Sequence, residues 1–193
     1  MDPANDERDP RVARSQARVL DAVANLLVTE DVRGVTIDAV VARSGVARAT
    51  VYRHWPSRQA LVLAGLNHLL PPPPPPIETR GSLAERLVTY LTGLARQLSE
   101  EAWAYALPAL LDAARRDPDI EHATTQFVEG RRAPLLTLVN EAVKSGELAP
   151  MDTQIASDEL LGPLVYRRLI TSQPLDRALC EQIVTDFLHG HAL

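Results

Sequence analysis

The sequence predicts an all-α protein, and three observations carry that expectation. Ala and Leu dominate a chain of 193 residues whose aromatic content is only 4%. Both favour helices, whereas β-rich chains draw on aromatic and β-branched residues. Apolar residues recur at steps of three and four over most of the length, and no stretch alternates apolar and polar over a strand's length. The hydrophobic fraction of 46% and charged fraction of 23% are ordinary for a soluble globular chain. No run approaches the roughly 20 apolar residues of a membrane span. The first ten residues are acidic and polar, unlike a signal peptide. The single cysteine, Cys180, allows no internal disulfide and reads as a small buried residue beside Leu179, Ile183 and Val184. A cytoplasmic protein without membrane contact is expected.

The elements follow in order. Residues 1–10 read as a disordered tail. Arg11 to Thr29 reads as an amphipathic helix with a stripe of Val12, Ala13, Ala17, Leu20, Ala24 and Leu27, widened by Val19, Val23 and Leu26. The pattern stops near Asp31 to Gly34. Thr36 is placed to cap a short helix ending near Ser44, with Ile37, Val40 and Val41 on its apolar face. Gly45 suits a sharp turn. Ala47 to His54 is a second short helix anchored by Val46 and Val51, and Pro56 closes it. Ser57 caps a further helix to about Leu70. Pro71 to Pro76 can only be polyproline-like, a semi-rigid connector with a Pro-rich recognition ligand as the alternative. Beyond it lie helices over Leu83 to Leu98, from Glu100 to Arg116, Asp119 to Ser145, Asp152 to Ile170 and Asp176 to Gly190. Pro108 bends or divides the second of these, Pro134 kinks the third, and Gly162-Pro163 bends the fourth without ending it. The expected division is 11–70, a connector at 71–76, and a second helical domain at 77–193.

Two short helices around Gly45-Val46 have the form of a helix-turn-helix, whose second helix enters a DNA major groove. The net charge of −5 argues against DNA until its distribution is read. Residues 1–70 carry net +1 and residues 71–193 carry net −6. Ala39 to Leu70 contains Arg43, Arg48, Arg53 and Arg58 and no acid, and local charge sets the field a phosphate feels. Arg48 lies in the first turn of the second helix, where a guanidinium can pair with guanine O6 and N7. Ala49 beside it is small enough for close approach. Thr50, Tyr52 and His54 suit phosphate oxygens. Arg53 and Arg58 add charge, Arg58 at a helix N-terminus that can itself face a phosphate. Arg43 flanks the same strand, and Thr36 can touch backbone from its cap. The alternatives are a partly core Tyr52 and a solvated Arg53; Trp55 reads as packing.

The run Thr36-Ile37-Asp38-Ala39-Val40-Val41-Ala42-Arg43-Ser44-Gly45-Val46-Ala47-Arg48-Ala49-Thr50-Val51-Tyr52-Arg53-His54-Trp55-Pro56-Ser57-Arg58-Gln59-Ala60-Leu61 resembles the TetR family of bacterial transcriptional regulators. The resemblance spans residues 20–70. It departs where the family often has Ser for Ala47 and Lys for Arg58. It implies a three-helix DNA-binding domain with a helix-turn-helix, joined to a helical ligand-binding and dimerisation domain. The segments Asp158 to Leu169 and Ile183 to Gly190 look like the last two helices of one C-terminal subgroup, which pack against their twofold mates. Leu161, Leu164, Val165, Arg168, Ile183 and Phe187 are the dimer candidates. Leu87, Tyr90, Leu91, Trp103, Leu107 and Phe127 are candidates for a pocket taking a mostly apolar or aromatic effector, with core packing the stronger reading for any single one. The expected function is a homodimeric regulator, a repressor released by a small effector from a pseudo-palindromic double-stranded operator. An activator, a ligand-independent regulator, and a helical module that binds protein rather than DNA are the alternatives. No phosphate loop, metal-ligand run, paired cysteines or nucleophile elbow occurs, so neither cofactor nor catalysis is expected.

Overall fold

The structure is a computed structural model that describes residues 10–72, 74–78 and 80–191. It is all-α: α1 (Pro10–Thr29), α2 (Asp31–Gly34), α3 (Ile37–Ser44), α4 (Arg48–His54), α5 (Arg58–Leu69), α6 (Leu83–Glu100), α7 (Ala102–Ala114), α8 (Pro118–Ser145), α9 (Thr153–Tyr166), a π-helical segment (Arg167–Thr171) and α10 (Arg177–His191). The expected N-terminal tail lies outside the described residues except for Pro10, which begins α1. Among the described residues no helix is long and apolar enough to cross a membrane.

Two compact units divide the chain. One runs to Pro72 and adds Tyr105–Thr125; the other takes the chain between these and everything from Gln126 onward. Residues 105–125 therefore join the unit that the sequence reading confined to 11–70. Ala106, Leu110 and Ile120 are buried in the same core as Val23, Leu26, Val51 and Leu61. Helical periodicity shows that a face is apolar; it does not say which neighbour that face meets.

In the N-terminal unit α1 is the central strut, packed on α3 and α5. Its buried stripe is Val19, Ala22, Val23, Leu26 and Leu27. Ala13 and Ala17, placed on the inner face from sequence, are exposed, and Leu20 is only half-buried. The buried face is the one that α3 and α5 cover, turned around the helix axis from Ala13 and Ala17. The break after Thr29 is filled by one helical turn, α2. It begins at Asp31 with φ 62°, a left-handed position that Asp tolerates because its side chain bonds locally. The carboxylate accepts the Arg33 N–H at 2.5 Å, and that bond holds its pKa below the ordinary carboxylate value. Gly65 sets the distance between α1 and α5. A Cβ there would stand 2.1 Å from Val23 Cγ1.

In the C-terminal unit α6 supplies Leu83, Leu87, Val88, Leu91, Ala95 and Leu98 to the core. A capping box starts it: Ser82 Oγ accepts the Glu85 N–H at 3.2 Å, and Glu85 accepts the Ser82 N–H at 2.8 Å. Asp152 caps α9 through the Gln154 and Ile155 N–H groups. The helix passes Gly162-Pro163 without stopping and widens into the π-helical segment one residue after Tyr166. Cys180 is fully buried, and burial pushes its thiol pKa up. Three dimer candidates are corrected here. Leu164, Ile183 and Phe187 are buried at 0, 8 and 5% exposure in the unit's own core, since α9 and α10 pack on α6. Arg168 reaches the Ala104 carbonyl at 3.4 Å. Leu161 is half-buried and Val165 exposed, and the large apolar side chains left open on α9 and the π-helical segment are Ile155, Val165, Tyr166 and Ile170.

Gly65→Ala is expected to destabilise the protein by about 1–3 kcal/mol through overpacking, although alanine is the better helix former. Urea unfolding measures it. In a Val23→Ala background the added cost should fall by more than about 0.5 kcal/mol, the coupling expected of touching residues.

Candidate nucleic-acid interface

A seven-residue helix is marginal in water, so α4 must be held by its surroundings. Thr36 Oγ1 accepts the Ala39 N–H at 3.1 Å and fixes the start of α3. Gly45 takes φ 65° and donates its N–H to Val41 O at 2.9 Å. Any side chain there would be strained and would meet the Arg18 guanidinium at 2.8 Å. Buried Ser44 accepts the Val46 N–H at 3.2 Å. Val46 and Val51, 7 and 0% exposed, then pin α4 to the core, with Trp55 packed half-buried against it. At the far end His54 Nδ1 lies 3.2 Å from Gln16 Nε2, tying α4 to α1. Ala47 makes no side-chain cap bond.

These anchors turn Arg48, Ala49, Tyr52 and Arg53 outward on one helical face, and all four are exposed. Thr50 and His54 are half-buried at its margin. Tyr52 is 43% exposed, so it is not a core residue. Arg53 lies 3.4 Å from His54 Nε2.

Two arginines have other employment. Arg43 donates to Asn25 Oδ1 at 2.7 Å and pairs with Glu30 at 3.1 Å, which fastens α3 to α1 and offsets its charge. Arg58 donates through Nε to Val35 O at 2.6 Å and through Nη2 to Val32 O. It braces the carbonyls where α2 meets α3, so a residue expected at a phosphate is also a structural tie. Arg48 pairs with Asp38 across an exposed surface. The acid-free stretch counted from Ala39 begins one residue past that aspartate, and folding brings it to the recognition face. An exposed pair is worth at most about 1 kcal/mol, so Arg48 can exchange Asp38 for a base or phosphate. Arg18, at the Gly45 turn, joins the candidates; its distance along the chain from that turn hid it no less than Gln16, since only the fold brings α1 there.

The C-terminal unit holds a cavity of about 680 Å³ walled by Pro74 to Ile77, Tyr90, Leu94, Gln97 and Arg131 among others. That size suits a small molecule. Of the six pocket candidates only Tyr90 lines it. Leu87 and Leu91 are wholly buried core, and Leu107 belongs to the other unit. Trp103 and Phe127 instead clamp the Arg131 guanidinium, 4.8 and 4.7 Å from their ring centroids. The Tyr90 hydroxyl donates to the Arg131 carbonyl, and burial pushes that phenol up to about 12. The prolines read as a connector supply part of the cavity wall.

Comparisons with known proteins agree with this geometry. Residues 19–64 match the model for bacterial regulatory proteins of the tetR family, and residues 77–187 match the tetracyclin repressor-like C-terminal domain. The HTH-type transcriptional regulator YdeS of Bacillus subtilis is 27% identical over 183 residues, 94% of this chain and 91% of YdeS. The DNA-binding transcriptional repressor TetR of Mycobacteroides abscessus is 24% identical, covering 92 and 95% of the two chains. The crystal structure of the TetR family transcription regulator SCO0332 superposes with a TM-score of 0.61 at 30% identity, over 91% of this chain and 97% of that one.

Arg58→Gln is expected to lower stability by about 1–3 kcal/mol, because two carbonyls lose a charged donor. Denaturant unfolding tests this; a change within about 0.5 kcal/mol is what an ordinary surface arginine would give.

Proposed function

Since the chain belongs to the TetR family of bacterial regulatory proteins, we propose that it is a repressor that binds a two-fold DNA operator as a homodimer and leaves it when a small effector binds. The observation that carries this reading is the outward face of α4, with Arg48, Ala49, Tyr52 and Arg53 displayed by a helix whose other side is pinned by Val46 and Val51. Arg48 reads base edges from the first turn. Tyr52, Arg53, Thr50 and His54 bind phosphate, joined by Arg18 at the turn and Thr36 at its cap. Repression is favoured over activation by the M. abscessus relative, which is named a repressor. The cavity favours ligand control over a ligand-independent regulator. An effector with higher affinity for a state that grips DNA poorly shifts the population towards that state.

Dimerisation follows from operator geometry. One short helix has limited affinity, and half-sites lie about 34–36 Å apart. Ile155, Val165, Tyr166 and Ile170, at 58, 38, 58 and 67% exposure, present apolar surface along α9 and the π-helical segment. A second copy of the same surface covers it.

Selection from a random duplex pool should return paired half-sites, with binding that weakens steeply in salt. Arg48→Ala should relax base preference by about 1–3 kcal/mol at one position. Arg53→Ala should instead lower the salt slope by about one and weaken all sequences alike. Salt-insensitive binding without sequence preference defeats the reading. Tyr166→Asp with Ile170→Asp should sediment as a monomer while keeping its helical circular dichroism; an unchanged dimer would place the interface elsewhere.

A further inference from the structure

Two arginines that line the cavity of the C-terminal unit, Arg86 and Arg131, carry buried donor nitrogens without a hydrogen-bond partner. Arg131 is 7% exposed. One of its terminal nitrogens, Nη1, donates to Gln97 Oε1 at 2.6 Å. Its Nε and Nη2 are buried and have no hydrogen-bond partner. Those two N–H groups form one edge of the planar guanidinium, the fork that the two oxygens of a carboxylate or phosphate match. A buried donor without a partner is costly, and this one has two on a single edge. The rings of Trp103 and Phe127 lie close to the guanidinium, which fixes the plane of the fork.

Neighbouring charges do not satisfy it. Glu101 attracts the Arg131 charge, but its carboxylate accepts the Trp103 Nε1–H at 2.6 Å. Glu85 lines the same cavity, and its carboxylate is engaged by the Ser82 N–H and hydroxyl at 2.8 and 3.1 Å. Arg86 is a second cavity arginine whose buried Nε has no partner, with Glu147 only at 3.6 Å from its Nη2. Ile77, Leu94 and the proline wall supply apolar surface beside these donors.

We propose that the effector is an anionic amphiphile, held by its carboxylate or phosphate oxygens on the Nε/Nη2 edge of Arg131, with an apolar tail against Ile77, Leu94 and Pro74 to Pro76. This adds an anionic head to the mostly apolar or aromatic effector expected from sequence, and it rests on the ligand-responsive reading above. The buried arginine is the specificity determinant, Gln97 orients it, and Arg86 adds a second positive field.

The test uses four probes of one chain length, decanoate, decyl phosphate, decan-1-ol and decylamine, titrated calorimetrically into the full chain. One or both anions should bind at least about tenfold tighter than the alcohol, the margin expected of charge-assisted bonds to a buried arginine. Their order says whether carboxylate or phosphate fits the fork. Arg131→Gln should erase that preference while leaving alcohol binding within about threefold, and Arg131→Lys should restore only part of it. The preference of the wild-type protein stands as evidence even if the variants fail to fold. Equal affinity for acid and alcohol, preference for the amine, or no anion binding below about 1 mM overturns the proposal. Fluorescence anisotropy on operator DNA without any probe separates the two readings. Anion preference in a protein that binds no DNA leaves this inference standing and removes the regulator. DNA binding without anion preference does the reverse.

Discussion

A seven-residue helix cannot hold itself in water, and the DNA-facing chemistry of this protein depends on one. Everything in the N-terminal unit bears on that constraint. Gly65 lets α5 approach α1 closely enough to build a core, and that core receives Val46 and Val51 from the turn and helix. Thr36, Gly45 and Ser44 fix the direction in which the chain enters α4. Gln16 meets its last residue, His54. With one face so pinned, the opposite face has no freedom to be anything but the outward one. Arg48, Tyr52 and Arg53 on it are exposed and long enough to reach into a groove.

The same economy governs the arginines. Charge on a sequence is a count, whereas charge at a surface is what remains after internal pairing. Arg43 is committed to Glu30 and Asn25, and Arg58 to two carbonyls. Both hold α3 in place, so they serve the interface by shaping it. Arg48 keeps its reach because its pairing with Asp38 is exposed and weak. A loose intramolecular partner of this sort keeps a guanidinium near its working position and yields when a stronger acceptor arrives.

In the C-terminal unit the governing constraint is a buried charge. Desolvation lowers the Arg131 pKa and the fields of Glu101 and Tyr90 oppose that, while two aromatic rings and Gln97 hold the guanidinium in place. A hydrophobic residue would pack more cheaply at such a place. Retaining an arginine there makes sense where recognition, rather than stability, is the purpose.

The all-α class, the capped α3, the Gly45 turn, the Val46 and Val51 anchors and the Ser57 cap were legible from residues alone. Each depends on local backbone chemistry or on helical spacing, and both are properties of neighbours along the chain. The outward placement of Arg48, Tyr52 and Arg53 was legible for the same reason, being fixed by the helical repeat once Val51 points inward, whereas Thr50 and His54 lie half-buried at the margin of that face. What required tertiary structure was everything that depends on which distant side chains meet. Arg58 became a tie, Asp38 a partner, Leu164 and Phe187 core, and residues 105–125 part of the N-terminal unit. Of the pocket residues expected from sequence, Leu87 and Leu91 are buried core and Tyr90 lines the cavity, while the polar Arg131, which no apolar pattern could nominate, emerged at the cavity wall. Periodicity determines that a face is buried; only packing decides against what, and an unsatisfied donor exists only once its surroundings are in place.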